Sequence, residues 1–221
     1  AHQLQFIHTS PKVSILLNLF EEHLDHFVDY SEYINSKYHI ASLQTKDDTF
    51  IYNLDSSDIK TLINNLPIKS NLLTFSKSES LEIEPDYLKG EHNLMNINAA
   101  LLATQVFGAE KSKALKTAKS FMPLSHRLEF VAQKNGVKYY NDSISTIPQA
   151  SIEAIKALKE VQTIILGGMD RGIDYSPLTE QIDNFKIKNI VFVGQAGRRM
   201  KNEMQEKVNK FQILVSDDYS E

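Results

Sequence analysis

The second half of the chain alternates apolar runs with amphipathic segments. Apolar runs typical of buried strands occur at VQTIILGG, KNIVFVG and FQILVSD, and helical spacing occurs in PQASIEAIKALKE, SPLTEQIDN and AGRRMKNEMQEKVNK. Strands that alternate with helices form parallel sheets, so this pattern predicts a doubly wound, Rossmann-like α/β sheet. Ahead of it, RLEFVAQKNGVKYYND places two β-rich runs around Asn135-Gly136, which predicts a β-hairpin.

The first half predicts a less regular α/β arrangement. Strands are expected at KVSILLN, DTFIYNLD, NLLTFS and SLEIE, the last covering residues 80–84. Helices are expected from Glu21 to about Gln44, over SSDIKTLINNL with a serine cap, over EHNLMNINAALLATQVFG before Gly108, and over KSKALKTAKSFM before Pro123. The change of pattern near Leu124 predicts two domains, 1–123 and 124–221.

Both ends of the sequence look truncated. The first predicted strand begins almost at once, and the chain stops at SDDYSE just after a strand, where an alternating fold would place another helix. We therefore expect the chain to be part of a longer protein.

Composition narrows the class of function. The 221 residues are 42% hydrophobic and carry a net charge of -4, which is typical of a soluble folded protein and gives no basic field for nucleic acid. The absence of cysteine excludes disulfides, cysteine-bound zinc, iron–sulfur clusters and thiol catalysis within these residues. No run approaches the ~20 apolar residues of a membrane span, so none is expected.

Candidate chemistry in the first half lies in three segments. In EEHLDHF, His23 and His26 are three residues apart and can share a helix face as metal ligands do, although their spacing alone favours a solvated helix start. Lys37 is either a surface amine with a buried stem or a half-buried amine that reacts with carbon dioxide to give a carbamate. In GEHNLMNINAA, Asn93 is a candidate helix N-cap, or Asn93 and Asn96 together face a purine edge.

Polar residues follow two predicted strands of the second half. YYNDSISTIPQAS supplies five of them, and capping alone needs only one or two: Asn141, Asp142, Ser143, Ser145 and Thr146. ILGGMDRGIDY repeats the arrangement after the next strand, with Gly167, Gly168, Asp170 and Arg171. Parallel sheets bind ligands at the carboxyl ends of their strands, so these residues predict one site at a shared sheet edge.

Two further features concern nucleotide binding and arginine usage. Neither G-x-x-x-x-G-K-[ST] nor G-x-G-x-x-G occurs, so nucleotide binding would need other contacts or a loop outside these residues. Only four arginines occur, and none precedes Arg127: Arg127, Arg171, Arg198 and Arg199. This bias reflects either a genome that favours lysine codons or a requirement at Arg127 and Arg171 for a planar, permanently charged side chain.

Taken in order, these segments resemble the Mur ligase family. The matching stretches span about positions 16 to 178 and are LNLFEEHLDHF, YSEYINSKYHI, GEHNLMNINAALLA, SHRLEFVAQKNGVKYYNDSISTIPQAS and LGGMDRGIDYSPL. The resemblance implies that 1–123 is the later part of a P-loop-type, ATP-binding central domain. It implies that 124–221 is a Rossmann-like, glutamate-binding C-terminal domain truncated at its end.

The resemblance also implies an activity. Within the family it points to the ligase that uses ATP to join D-glutamate to UDP-N-acetylmuramoyl-L-alanine through an acyl phosphate, in peptidoglycan precursor synthesis. It further implies Mg²⁺ as cofactor, a cytoplasmic location and a monomer. The P-loop, the acidic Mg²⁺ ligand and the UDP-binding domain are expected upstream of Ala1, so residues 1–221 alone are expected to be inactive.

Roles for individual residues follow from the same resemblance. His23 and carbamylated Lys37 are expected to be catalytic and to bind Mg²⁺, while Asn93 and Asn96 are expected to contact the nucleotide base.

In the second half, the resemblance assigns Arg127 and Asp142 to the nucleotide phosphates and ribose, and Thr146 and Arg171 to glutamate. Arg171 and Ile144 replace lysines that are usual in the family, so the contacts to the amino acid are expected to differ. Two alternatives stay open: a sister ligase for L-glutamate or another amino acid, and a non-catalytic domain pair used for protein binding.

Overall fold

Parallel strands form the first sheet, in the order in which they occur along the chain. The computed structural model describes residues 2–20, 26–79, 81 and 83–217, with only the backbone for Glu206. The sheet contains β1 (Val13–Leu16), β2 (Thr49–Asn53) and β3 (Asn71–Phe75), and the pairing of β1 with β2 starts with Val13 opposite Thr49. The chain divides into two compact units, Ala1–Met122 and Pro123–Glu221, here called the N-terminal and C-terminal units.

Helices cover both faces of the N-terminal sheet. They are α1 (Tyr30–Ser42), α2 (Ser57–Asn65) and α3 (Glu91–Val106), while α4 (Lys111–Lys119) packs against α3 and a short 3-10 turn at His2–Phe6 precedes β1. Neighbouring residues of β2 point to opposite faces: Phe50 packs in a core with Tyr33 and Ile59, whereas Ile51 packs with Met95. A parallel sheet buried on both faces reads as a continuous apolar run, as β2 does.

The C-terminal unit begins with an antiparallel hairpin of β4 (Glu129–Lys134) and β5 (Val137–Asn141). Both turn residues are left-handed, Asn135 at φ 52° and Gly136 at φ 80°, which matches the type I′ turn expected for Asn-Gly. The hairpin predicted from sequence is confirmed.

A second parallel sheet follows, again in chain order. It contains β6 (Thr163–Gly167), β7 (Asn189–Val193) and β8 (Gln212–Ser216), with helices α5 (Pro148–Leu158), α6 (Ser176–Thr179) and α7 (Gly194–Met204) and 3-10 turns at Ile182–Asn184 and Gln205–Lys210. Its core packs Leu166, Ile190 and Phe192 of the strands against Ile152 of α5 and Met200 of α7.

The structure corrects several sequence-based boundaries. The strand predicted at 80–84 is wrong, because Leu81, Ile83 and Glu84 lie in no strand and Pro85 follows; Ser80 and Glu82 lie outside the described residues. The helix predicted from Glu21 to about Gln44 is corrected where the structure describes it: residues 26–29 are not helical, and residues 21–25 lie outside the described residues. The helix α1 begins at Tyr30, where Asp29 caps it by accepting a hydrogen bond from the Glu32 backbone N–H.

Two predicted helices of the C-terminal unit are broken in the structure. SPLTEQIDN gives only the short α6 followed by a 3-10 turn, and α7 stops at Met204 because Gln205 adopts a left-handed φ of 47°. The division between Met122 and Pro123 falls one residue before the predicted division between Pro123 and Leu124. Among the described helices, none combines the length and apolar character needed to cross a membrane.

Candidate functional site

The carboxyl edge of the N-terminal sheet is tied together by the side chain of Asn53, the last residue of β2. Its Nδ2 donates to the Leu17 carbonyl at 3.1 Å and to Asn18 Oδ1 at 3.3 Å, and its Oδ1 accepts from the Asp55 N–H at 2.8 Å. Asn53 is buried, so these bonds are shielded from water. This amide fixes the segment that follows β1 and leads toward His23.

The same edge is linked onward to β3. A carboxylate oxygen of Asp55 accepts a hydrogen bond from the Lys77 N–H at 2.6 Å, and the Leu54 N–H donates to the Phe75 carbonyl at 2.8 Å. Asn18 after β1, Asp55 after β2 and Lys77 after β3 thus belong to one chain of hydrogen bonds along this edge of the sheet.

Lys37, the predicted carbamate, lies in α1 and is half-buried. Its Nζ is 5.3 Å from the ring centroid of Tyr33, which is buried one turn earlier in the helix. A position over an aromatic face stabilises a lysine cation, whereas carbamate formation requires the neutral amine. Carbamylation of Lys37 therefore stays a prediction.

The predicted metal ligand His23 lies outside the described residues. Its partner in the sequence pattern, His26, approaches Gln5, with Nε2 3.3 Å from Oε1. Within the part of the chain that the structure describes, no three histidine, aspartate or glutamate side chains come together in an arrangement for a metal ion. The Mg²⁺ site stays a prediction.

Asn93 and Asn96 lie in the first two turns of α3. The N-cap predicted at Asn93 is wrong: the helix begins at Glu91, and Gly90 precedes it with a positive φ of 91° that only glycine adopts easily. The Asn93 Nδ2 instead donates to the Lys89 carbonyl at 2.7 Å, while Asn96 is exposed. The two amides are three residues apart on one helix face, as a contact to a base edge would require.

In the C-terminal unit, Asp142 binds the backbone of the residue that follows Arg127. Asp142 Oδ1 accepts from the backbone N–H of Leu128 at 2.8 Å, and its Oδ2 accepts from the Ser145 hydroxyl. Asp142 thereby joins the segment before β4 to the turn after β5. Arg127 and Thr146 flank this junction, and both are exposed.

The predicted common sheet edge is not formed. β5 pairs with β4, whereas β6 pairs with β7, so the residues after β5 and those after β6 belong to different sheets. The type I′ turn at Asn135-Gly136 commits β5 to its hairpin partner. Thr146 and Arg171 therefore follow strands of two separate sheets.

The loop between β6 and α6 is organised around Asp170. Arg199 of α7 donates from Nε to Asp170 Oδ2 at 2.7 Å and from Nη2 to Oδ1 at 3.0 Å, forming a bidentate ion pair. Asp170 Oδ1 also accepts from the Gly172 N–H at 2.9 Å, and the guanidinium lies 4.2 Å from the ring centroid of Tyr175. The charged pair therefore also contacts Gly172 in the loop and Tyr175 at its end.

The electrostatics of this cluster follow from the pair. Hydrogen bonds from Arg199 lower the pKa of Asp170 below its ordinary value, and the same contact raises the pKa of Arg199. Burial, followed by the negative charge of Asp170, raises the pKa of Tyr175. Asp170 and Arg199 are therefore both charged near neutral pH.

Arg171 presents its side chain to solvent beside this pair. Among the described residues its guanidinium has no hydrogen-bond or ion-pair partner, although its neighbours on both sides are fixed. An unengaged guanidinium on a fixed loop is suited to bidentate binding of a carboxylate.

Glycines allow the carboxyl ends of β6 and β7 to touch. A Cβ at Gly167 would lie 1.8 Å from the Val193 carbonyl oxygen, and one at Gly194 would lie 2.8 Å from that of Gly168. The backbones hydrogen bond there, from the Gly168 N–H to the Val193 carbonyl at 2.8 Å. The loop that carries Arg171 starts from this close contact.

Sequence reasoning missed Asn53 and Arg199. Asn53 ends an apolar strand and resembles an ordinary strand terminus, so nothing in the sequence separates it from a turn residue. Arg199 is one of only four arginines, and that scarcity was the available signal, but its partner Asp170 is 29 positions away.

Comparison with known proteins identifies relatives of this chain. The model of the Mur ligase middle domain matches residues 1–87. A relative from Geotalea daltonii named UDP-N-acetylmuramoylalanine--D-glutamate ligase is 33% identical over 216 residues, covering 88% of this chain and 47% of the relative. The chain thus spans about half the length of the curated relatives it matches.

Solved structures show the same fold. MurF from Acinetobacter baumannii gives a TM-score of 0.74 at 18% identity, covering 94% of this chain and 51% of that one. MurF ligase from Thermotoga maritima, solved in complex with ADP, gives a TM-score of 0.71 at 18% identity over 95% of this chain and 53% of that one. Matched in sequence and in fold, the chain belongs to the Mur ligase family.

Proposed function

We propose that the protein carrying this chain is an ATP-dependent ligase that joins D-glutamate to UDP-N-acetylmuramoyl-L-alanine. The observation that carries the proposal is the match to the Geotalea daltonii ligase, which covers 88% of the chain and so includes both units. The related fold solved with ADP supports a nucleotide as co-substrate. We place the reaction in the cytoplasm, as a step of peptidoglycan precursor synthesis by a monomer.

The proposed reaction has two steps. The carboxylate of UDP-N-acetylmuramoyl-L-alanine attacks the γ-phosphorus of ATP, which releases ADP and gives an acyl phosphate. The neutral amine of glutamate then attacks the carbonyl carbon, and the tetrahedral intermediate loses phosphate and a proton to give the amide. Because the acyl phosphate is already activated, the protein contributes chiefly by positioning and by neutralising charge.

The N-terminal unit is assigned the nucleotide and the metal. The amides of Asn93 and Asn96 supply donors and acceptors on one helix face for the base. His23 and carbamylated Lys37 are proposed to hold Mg²⁺, which when bound supplies positive charge between converging anions. Lys37 is half-buried in α1, which limits the positions that its terminal group can take.

The C-terminal unit is assigned the phosphates, the ribose and the amino acid. Arg127 and Asp142 meet at one junction, where a cation and a carboxylate can contact phosphate and ribose hydroxyls. Arg171 offers an unengaged guanidinium to a glutamate carboxylate, with Thr146 as the second glutamate contact.

The test is product formation by the complete protein. UDP-N-acetylmuramoyl-L-alanine, ATP and Mg²⁺ are incubated with D-glutamate or L-glutamate, and the product is followed by mass spectrometry. Product with D-glutamate alone is expected. Product with L-glutamate alone would transfer the protein to a sister activity, and no product with either would contradict the ligase proposal.

A pair of arginine variants sharpens this test. Arg171→Ala is expected to raise the KM for glutamate at least about tenfold, because a bidentate charged contact is lost. Arg198→Ala is the matched control, since Arg198 is also exposed but pairs with Asp217. Equal effects of the two variants would contradict the role assigned to Arg171.

A further inference from the structure

One guanidinium, that of Arg199, holds the β6–α6 loop at several points. It binds both oxygens of Asp170, and its Nη2 also donates to the backbone carbonyl of Ile173. It stacks over the Tyr175 ring at the far end of the loop. A fourth contact, from Nη1 to Glu203 Oε1 at 2.9 Å, orients the guanidinium from its own helix.

These contacts bracket Arg171. Asp170 precedes it directly and Ile173 follows two residues later, so the backbone is fixed on both sides of a side chain that is itself exposed. The N–H of Gly172 is fixed as well, through Asp170. The position of the Arg171 Cα therefore depends on Arg199.

Arg199 projects from a firmly packed helix. Ala196 and Met200 of α7 are buried at 3% and 4% exposure, and Gly197 lies so close to β7 that a Cβ would come within 2.9 Å of the Phe192 backbone. Through Arg199, the β6–α6 loop is attached to a helix that packs in the core of the C-terminal unit.

Lysine cannot reproduce this arrangement. The planar guanidinium makes two parallel bonds to Asp170, a third bond to a carbonyl and a face-on contact to an aromatic ring at the same time. A lysine ammonium is a single point charge on a flexible stem, so it can pair with Asp170 but does not also fix the carbonyl of Ile173.

We propose that Arg199 is a positioning residue for the incoming amino acid: by clamping the loop at Asp170 and Ile173, it places the Arg171 guanidinium for the substrate carboxylate. The inference rests on the proposed function, in which Arg171 binds that carboxylate. Arg199 itself makes no substrate contact in this account, and its effect passes through the loop.

The decisive measurement separates positioning from simple stabilisation. In the complete protein, Arg199→Lys is expected to raise the KM for D-glutamate about tenfold while the KM for ATP changes less than about threefold, because misplacement affects one substrate. A merely structural role would lower the active fraction and the melting temperature and leave both KM values unchanged. Arg198→Lys, on the neighbouring residue of the same helix, is the control and is expected to change neither.

A second readout does not depend on activity. NMR exchange of the Gly172 amide proton in Arg199→Lys is expected to be at least about tenfold faster than in the parent, since the Asp170 clamp shields it. An unchanged KM for D-glutamate in an active Arg199→Lys enzyme would overturn the proposal, as would unchanged exchange at Gly172. If the parent protein joins no amino acid, the proposed function fails, and the exchange result still decides whether the clamp exists.

Discussion

The two parallel sheets of this chain have the same strand order but secure their carboxyl edges by different means. In the N-terminal unit the edge is joined by the neutral, buried amide of Asn53, which bonds to the segment after β1 and to Asp55. In the C-terminal unit the strands meet backbone to backbone at glycines, and the loop beyond is held by the Asp170–Arg199 ion pair. We therefore expect the free energy of unfolding to fall when the Asn53 side chain is removed from the first edge. At the second edge we expect it to fall when an atom is added to a glycine or when Asp170 is protonated.

The largest expected effect is at Gly167. Gly167→Ala places a Cβ 1.8 Å from the Val193 carbonyl oxygen at a φ of 146°, so β6 and β7 must separate. We expect the free energy of unfolding to fall by about 4 kcal/mol, from overpacking together with backbone strain. Urea unfolding followed by circular dichroism measures the loss, and amide exchange of Ile190 assigns it to the C-terminal unit.

Gly136→Ala is the matched control for this substitution. Gly136 also has a positive φ, of 80°, but an added Cβ would meet nothing within 4 Å. Its cost is expected to be about 1 kcal/mol, which is the strain alone. Equal losses for the two variants would show that close contact between the strand ends contributes nothing.

The next largest effect is expected at Asn53. Asn53→Ala removes three hydrogen bonds and leaves the Leu17 carbonyl and the Asp55 N–H without their partner, at an expected cost of about 2 to 3 kcal/mol. Asn189→Ala is the comparison in the other sheet, because Asn189 makes one exposed bond to the Thr163 hydroxyl. Asn189→Ala should lower the free energy of unfolding by about 0.5 kcal/mol or less, as is typical of substitutions on the surface. A small loss at Asn53 would mean that water replaces the amide.

These sites show how far sequence reasoning reached. Strand and helix periodicity predicted β1, β2 and β3 and the alternation of the C-terminal unit, because buried parallel strands carry runs of apolar residues. The Asn135-Gly136 turn identified its hairpin because few residues adopt two successive left-handed conformations. Periodicity and turn residues therefore predicted those elements whose conformation depends on residues close together in the sequence.

Periodicity and turn residues did not predict features that depend on residues far apart in the sequence. In the segment predicted as a strand at 80–84, the described residues Leu81, Ile83 and Glu84 lie in no strand. The expected edge shared by Thr146 and Arg171 is not formed, because strand pairing is non-local. The Asp170–Arg199 pair spans 29 positions and carries no short motif. The roles of His23, Lys37, Asn93, Asn96, Arg127, Asp142, Thr146 and Arg171 came from an ordered resemblance and stay predictions.

A pH series distinguishes the Asp170–Arg199 ion pair from the neutral amide of Asn53. The pKa of Asp170 is lowered in the folded state, so the carboxylate stabilises folding fully above its ordinary pKa and loses this effect as pH falls through the lowered value. Near neutral pH, the free energy of unfolding of the parent is expected to exceed that of Asp170→Asn by about 1.5 kcal/mol, the size of a hydrogen bond to a charged group. The difference should shrink below about pH 4.

The control for the pH series is again Asn53→Ala. Its difference from the parent should stay constant across the same range, since neither the amide nor its backbone partners titrate. Unfolding curves at matched ionic strength provide both measurements. A constant difference for Asp170→Asn would contradict the assignment of charge to the C-terminal edge.

The smallest expected effect returns to the N-terminal unit, at the start of α1. Asp29 Oδ1 accepts from the Glu32 N–H at 2.8 Å, which satisfies one free helix donor, and Glu32 Oε2 accepts from the N–H of Val28, the residue before the cap, at 2.7 Å. Asp29→Ala is expected to cost about 1 kcal/mol in urea unfolding. In contrast, α5 of the C-terminal unit starts without a side-chain cap and has Pro148 in its first turn, so this helix offers no equivalent loss.

Asp29→Asn separates the hydrogen bond from the charge. Asparagine caps helices about as well as aspartate, so this variant should stay within about 0.5 kcal/mol of the parent if the bond to Glu32 is what matters. If Asp29→Asn loses as much as Asp29→Ala, the interaction of the charge with the helix dipole is responsible. The N-terminal unit would then also depend on an ionised carboxylate, and the contrast between a neutral and a charged unit would hold only at the strand ends.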